Sequence, residues 1–392
     1  MAQPLIARCV RGLEWILADE IAAGFAPSGL RLAQRQVSFS VAGLSPALLA
    51  LRTADDLFLE TGTVAGVTHT RAALPVLAAG LGQLDLAGSL AALRDIRELP
   101  DKLTFDVVAS LSGQRNYNRY AVEDTAGAAL GQALGARYLS RSAGPGDWPA
   151  GGTDLTVRLF LHGTDVQVAL RAAPRPLHRR GWKVHTGPGS LHPPVAAALA
   201  RIARHPGGGL IADPFCGDGT IPVEVALADP TARVLAADLD AGRLSNARAN
   251  AAQAGVRVRF IRADAADPLA GPGPLAGSGP LDQVVTNPPW NRAVGAAGRV
   301  AAGLAPFWRQ LPAAFGPRGR VTVIADAGLG VAASLRGHGY DIALVQGIRL
   351  AGRLSEILVA TPPAIEPLPL DPALARWRQR ALGSNIVSAE GF

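Results

Sequence analysis

Residues 209–220, Gly209-Leu210-Ile211-Ala212-Asp213-Pro214-Phe215-Cys216-Gly217-Asp218-Gly219-Thr220, decide how this chain is read. An apolar run ends in a carboxylate, turns through two glycines and opens into a helical pattern over 221–227. Strand, glycine turn and helix in that order describe a nucleotide-type binding turn of a parallel sheet. Gly217 and Gly219 let the backbone turn sharply and approach a ligand with no Cβ in the way. The helix that follows points its free N–H groups at the same place. A nicotinamide-type turn would place glycine at 222, where this chain has Pro222. The stretch offers carboxylates rather than a phosphate nest, which suits a cationic ligand.

Working outward, strand-like runs alternate with helical ones at 210–212, 234–237, 258–262, 283–286 and 320–325. That βαβ rhythm predicts an α/β fold with a doubly wound parallel sheet. Two further runs, 342–348 and 355–360, flank a short Arg-Gly turn and read as an antiparallel hairpin at the sheet edge. Ligands of such sheets bind at the C-terminal strand ends. Asp213 closes the first strand, Asp238 the second and Asp264 the third. Asp238 is placed to accept ribose hydroxyls, and Asp264 to accept from an adenine amine. The expected cofactor site comprises Asp213, Pro214, Phe215, Gly217, Gly219, Thr220, Asp238, Leu239, Asp264, Ala265 and Asn287.

The fourth strand runs into Asn287-Pro288-Pro289-Trp290. These four are the expected catalytic residues. An aromatic exocyclic amine is a poor nucleophile, because its lone pair is delocalised into the ring. Attack on a methyl carbon requires that pair to rehybridise. Acceptors on the two N–H bonds favour the change, and the Asn287 side-chain oxygen and Pro288 carbonyl are suited to the task. Two prolines stiffen the turn so that the acceptors are preorganised. Trp290 offers a flat face on which a base could stack. Positioning, not a strong base, carries the rate.

The N-terminal half has a different texture. Residues 5–8 and 36–41 read as strands, 13–23 as a helix, and 45–52 as a second helix capped by Ser45. Further on, 104–110 alternates as a strand and 122–134 is helical. A hairpin is expected over 154–161 and 166–171. Residues 144–152 and 271–280 read as loops, and the Pro-rich tail from 362 as a fraying segment with one short helix at 372–382.

The glycine turn and the Asn-Pro-Pro-aromatic turn together resemble the S-adenosylmethionine-dependent methyltransferases that modify exocyclic amines of nucleobases. Arg11-Gly12-Leu13-Glu14, Leu51-Arg52-Thr53-Ala54-Asp55, Arg179-Arg180-Gly181-Trp182-Lys183-Val184 and 191–197 extend the likeness. With them, residues 5–360 resemble the THUMP-containing RNA guanine-N2 methyltransferases. That resemblance implies a ferredoxin-like domain over 1–60, a THUMP-like RNA-binding domain over 61–172 and a linker over 173–190. It further implies a Rossmann-like methyltransferase domain over 191–362 and a tail over 363–392. It implies S-adenosylmethionine as cofactor and a guanosine N2 amine as acceptor, in tRNA more than in large-subunit rRNA. The family usually reads Asn-Pro-Pro-Tyr-Gly, whereas Trp290-Asn291 stands here.

The net charge is +7, and Lys102 and Lys183 are the only lysines. Arginine richness fits either a coding bias or a polyanionic partner, and charge does not separate them. Arg115, Arg119, Arg179, Arg180 and Lys183, interleaved with Tyr117, Tyr120 and Trp182, are the expected RNA contacts. Cys9 and Cys216 form no disulfide framework or metal motif. No apolar run reaches membrane-spanning length and the N-terminus has no secretory pattern, so a cytoplasmic location is the default expectation; the oligomeric state is undetermined, with a monomer as the default. Methylation of DNA adenine or of protein glutamine uses the same kind of turn, and a non-catalytic RNA-binding protein could keep the fold. The N-terminal half argues against the first two, and the intact Asp213, Gly217, Gly219, Asp238, Asp264 and Asn287 against the third.

Overall fold

The computed structural model describes residues 2–144, 148–149, 152–204, 208–267, 279–290 and 295–388. Most of the expected 271–280 insertion, part of the 144–152 loop, and Asn291 lie outside the described residues.

The N-terminal half contains β1 (Gln3–Arg8), α1 (Glu14–Phe25), β2 (Ser28–Ala33), β3 (Gln36–Val41) and β4 (Asp56–Val64). There follow α2 (Leu74–Leu81), α3 (Leu86–Leu93), β5 (Thr104–Leu111), α4 (Arg119–Leu134), β6 (Arg137–Tyr138), β7 (Leu155–His162) and β8 (Asp165–Arg171). Its strands form one eight-stranded sheet in the order β2-β3-β1-β4-β8-β7-β5-β6. The boundary expected at residue 60 therefore falls inside β4. This strand pairs with β1 over 56–59 and with β8 over 58–64. Backbone hydrogen bonds run through the expected junction, so the two regions share a sheet rather than meeting at a linker. The helix expected over 45–52 is a 3₁₀ turn, Pro46–Ala50, without a side-chain cap from Ser45.

The C-terminal half contains α5 (Pro193–Ile202), β9 (Gly209–Asp213), α6 (Thr220–Ala228), β10 (Ala232–Asp238), α7 (Ala241–Ala254) and β11 (Arg259–Arg262). It continues with β12 (Leu281–Thr286), α8 (Ala305–Gln310), β13 (Phe315–Asp326), α9 (Val331–Gly337), β14 (Asp341–Leu350), β15 (Arg353–Thr361) and α10 (Pro372–Gly383). The sheet order is β11-β10-β9-β12-β13-β15-β14. Strands β9 to β13 pair in parallel, and the β14–β15 hairpin adds antiparallel to β13. Its turn places Ala351 at φ 49° and Gly352 at φ 81°, the double left-handed geometry that matches strand twist in a two-residue hairpin. The sheet order reverses between β9 and β12, which opens a crevice at their C-terminal ends.

Local signals explain the helix limits. Asp240 accepts from the backbone N–H groups of Gly242 and Arg243 to start α7, and Gly255 ends it at φ 68°. Within the described part of the tail, the helix is docked rather than frayed. Leu374, Trp377 and Ala381 of α10 are buried in the main core, where α10 packs on α1. An apolar helical stripe outweighs the proline-rich flank.

The two halves are clamped together. Glu224 of α6 is fully buried and takes two arginines, Arg52 Nε at 2.6 Å and Arg180 Nε at 3.0 Å. Arg201 Nε donates to Asp19 Oδ2 at 2.6 Å. The Arg349 backbone N–H donates to the Arg11 carbonyl at 3.1 Å. No single helix among the described residues is long and apolar enough to cross a membrane.

Candidate active site

A cleft of about 1440 Å³ lies where the strand ends of the C-terminal sheet meet the N-terminal sheet. Asp213, Asp238, Asp264 and Asn287 all line it. Four strand ends thus bring together three carboxylates and one amide that are far apart in the chain.

Asp213 is almost fully buried. Its Oδ1 accepts from Thr286 Oγ1 at 2.7 Å and from the Phe215 backbone N–H at 3.1 Å. Its Oδ2 is buried without a partner among the described residues. Burial, joined by the charge of Asp238, pushes its carboxyl from 3.8 up to about 7 against the lowering effect of those two bonds. A cation seated beside that oxygen would hold it ionised.

The glycine turn is built from both sides. Asp238 Oδ2 accepts from the Gly217 backbone N–H at 2.8 Å, and its Oδ1 accepts from Asp240 N–H at 2.9 Å. The carboxylate expected to hold ribose therefore also shapes the turn, with lone pairs left for a ligand. Gly219 sits at φ 81°, and a Cβ there would lie 2.9 Å from Ala247 Cβ of α7. Thr220 Oγ1 lies 3.3 Å from Ser190 Oγ, and Phe215 packs edge-on against Phe307. Leu239 keeps 39% of its surface exposed at the mouth, an apolar edge suited to a purine. Asp264 also accepts structural bonds from the backbone. Its Oδ1 accepts from Ala266 N–H and its Oδ2 from Arg299 N–H, so it also ties down the 3₁₀ turn Gly298–Val300.

At the end of β12, Asn287 Nδ2 reaches the Gly189 carbonyl only at 3.5 Å, and its Oδ1 is buried without a partner among the described residues. A buried amide oxygen with no donor is a costly arrangement unless a ligand completes it. Pro288 is buried, and Trp290 is partly buried against the main core with its Nε1 unpartnered among the described residues.

Several residues of the site were not singled out from sequence. Asp218 Oδ2 accepts from the Gly187 N–H at 2.8 Å and its Oδ1 from Asn246 Nδ2 at 3.1 Å. Burial opposes ionisation of Asp218, but these bonds and Arg243 hold its carboxyl below the usual value. Asn250 accepts from His185 N–H at 2.9 Å and donates to the Asp218 carbonyl at 2.8 Å. The expected linker thus forms one wall of the cleft, stapled by α7. His192 Nε2 lies 2.7 Å from Asp55 Oδ1 on the same wall. Such pairings join positions distant in the chain, and no local pattern announces them.

The expected RNA contacts divide. Arg119 and Arg179 are exposed, with Arg119 stacked 4.7 Å from the Tyr120 ring centroid. Arg115 is turned inward instead. It donates to the carbonyls of Val67, Thr68 and Gly163 and to the hydroxyl of Tyr117, which is itself buried. Arg180 is spent on Glu224, and Trp182 is buried against Val223 and Ala251. Neither offers a surface for stacking or phosphate contact. Lys183 donates to the Leu191 carbonyl at 2.8 Å inside the cleft, and burial pushes its ammonium down to about 8.

Comparison with known proteins finds relatives of this sequence and fold. Residues 180–338 match the family described as UPF0020, RMKL-like, methyltransferase domain. The tRNA (guanine(6)-N2)-methyltransferase of Thermus thermophilus is 33% identical over 231 residues, covering 58% of this chain and 63% of that protein. The tRNA (guanine(10)-N2)-dimethyltransferase of Methanothermobacter thermautotrophicus is 33% identical over 112 residues, covering 28% and 31% respectively. The matched stretch is less than two thirds of the length of either relative. The crystal structure of TrmN from Thermus thermophilus superposes with a TM-score of 0.73 at 27% identity, over 92% of this chain and 99% of that one. Fold and site are those of a methyltransferase domain that takes S-adenosylmethionine. Within that class, residues 180–338 carry a methyltransferase domain of the RMKL-like kind.

Proposed function

We propose that the chain transfers the methyl group of S-adenosylmethionine to the exocyclic N2 amine of a guanosine in tRNA, in the cytoplasm. The observation that carries this reading is the Asn287 oxygen, buried and unpartnered in the same cleft as Asp213. Bound there, S-adenosylmethionine supplies an electrophilic methyl carbon. Asp213, Asp238 and the Gly217–Gly219 turn would hold it, with Leu239, Asp264 and Ala265 lining the same cleft for its purine. Asn287 Oδ1 accepts one N–H of the target amine and the Pro288 carbonyl the other, which turns the nitrogen lone pair toward the methyl carbon. Trp290 forms one side of the base pocket, and the target base must be extruded or unpaired to reach it. The names of the two curated relatives favour the guanine N2 position and tRNA.

The test is transfer of labelled methyl from the cofactor into separate pools of tRNA, rRNA, DNA and protein, followed by nucleoside mass spectrometry. N2-methylguanosine from tRNA is the expected product. Label in 6-methyladenine, in glutamine or in rRNA alone would overturn the assignment.

A further inference from the structure

Strand alternation gives the eight-stranded sheet two unlike faces. One face sends Leu5, Leu57, Leu59, Leu159, Val168 and Leu170 into the main core. The other carries a four-residue apolar cluster, Ile6, Phe58, Phe160 and Ala169. Arg8, Arg158 and Arg171 share that second face, each two residues from a member of the cluster on its own strand. Arg8, Phe58, Arg158 and Arg171 line the same cleft as Asp213 and Asn287.

The three arginines are seated on aromatic rings. The Arg8 guanidinium lies 4.9 Å and that of Arg158 5.3 Å from the centroid of Phe160. Arg171 lies 5.8 Å from the centroid of Phe58. The two rings meet edge to face at 5.9 Å. Stacking of this kind fixes the planes of the guanidinium groups and leaves their N–H edges to bind an anion. Charge is only partly balanced. Arg171 pairs with Asp56 at 2.9 Å. Arg8 donates to Gln36 Oε1 at 3.0 Å and Arg158 to Ser110 Oγ at 2.7 Å, and both acceptors are neutral. Burial, then repulsion by Arg8 and Arg171, pushes Arg158 down to about 10. The cluster is thus electrostatically crowded in the free protein, and an anion with several acceptor oxygens would relieve it.

We propose that Arg8, Arg158 and Arg171, seated on Phe58 and Phe160, form a phosphodiester subsite for the RNA strand whose base enters the cleft at Asn287. This rests on the function proposed above. The nearby Asp55 and Asp56 carboxylates suit a monoanionic diester better than a dianionic free phosphate. The subsite belongs to one half of the chain and the amine-holding turn to the other. A bound strand bridges the two, so the base is selected by its position relative to that phosphate as well as by its own edge.

The test compares the parent with Arg8→Gln/Arg158→Gln and with Arg158→Lys, using purified tRNA as the probe. The double variant should bind cofactor within about twofold of the parent by calorimetry. Its tRNA binding should show a salt slope smaller by about 0.7–0.9 for each phosphate no longer neutralised. Its kcat/KM should fall about tenfold, mainly through KM. Arg158→Lys keeps the charge without the planar fork, and should fall between the two. If the double variant binds no cofactor, Arg158→Lys alone decides. Parental slope and KM with intact cofactor binding would overturn the subsite and make the cluster an internal clamp. Inorganic phosphate at constant ionic strength is the second arm. Thermal stabilisation of the parent but not the double variant, with equal tRNA affinity in both, would make this a small-anion site and also overturn the proposal. The binding arms need no turnover, so a parent that methylates no RNA would overturn the proposed function without deciding the subsite.

Discussion

The site proposed on the seven-stranded sheet sits at strand ends, whereas the one proposed on the eight-stranded sheet sits on a strand face. Strand ends are followed by turns, and a turn is a contiguous run of residues. Asp213 to Thr220 and Asn287 to Trp290 are therefore readable as words. A strand face is assembled from every second residue of several strands. Arg8, Phe58, Arg158, Phe160 and Arg171 come from β1, β4, β7 and β8 and share no local pattern. Contiguous arginines mislead for the same reason. Arg179 and Arg180 are neighbours in the chain, yet one is exposed and the other is partly buried and paired with Glu224.

The largest test of that contrast is the clamp between the halves. Glu224→Ala leaves Arg52 and Arg180 without their shared carboxylate. It should lower stability by about 3–5 kcal/mol, read from denaturant unfolding. Arg180→Ala should leave the salt slope of tRNA binding unchanged, since its guanidinium is an internal partner. A parental unfolding midpoint in Glu224→Ala would make the two halves energetically independent.

Next in size is Asn287. Asn287→Ala should reduce turnover on the true RNA by about two orders of magnitude or more, as for removal of one preorganised transition-state hydrogen bond. Cofactor affinity should change only slightly, because no cofactor contact is assigned to the side-chain oxygen. Parental turnover would remove the amine-holding role and with it the distinction of that strand end.

Asp213 gives a smaller and pH-dependent effect. Its carboxyl titrates at about 7 in the folded protein, against an ordinary 3.8. The folded free protein therefore holds a proton that the unfolded chain has released. The stability contributed by Asp213 is fully present below about 4 and is lost as pH rises toward 7. A bound sulfonium favours the ionised form, so cofactor affinity should rise by about tenfold per pH unit below 7 and level off above it. Asp213→Asn should give a flat profile between pH 5 and 7 on the same calorimetric titration. An equally steep profile in the variant would assign the dependence to another group.

The smallest effect belongs to the exposed arginines. Arg119→Glu/Arg179→Glu should weaken tRNA binding by about three- to tenfold at moderate salt and flatten its salt dependence. Stability should be unchanged, because both side chains are exposed. An unaltered slope would leave these two positions to coding bias.

The doubly wound sheet, its edge hairpin and the strand-end carboxylates were legible in the residues themselves. Each depends on apolar periodicity, on glycine at positive φ, or on a carboxylate at a fixed place in a turn, and all are local. The continuity of β4 across residue 60, the docking of α10 on α1 and the fate of Arg115 and Arg180 were decided by tertiary structure. So were the unpartnered oxygens of Asp213 and Asn287 and the arginine cluster on the sheet face. These depend on which distant atoms meet and which are left without a partner. Pairing and burial are properties of the folded arrangement, and no window of sequence contains both sides of the contact.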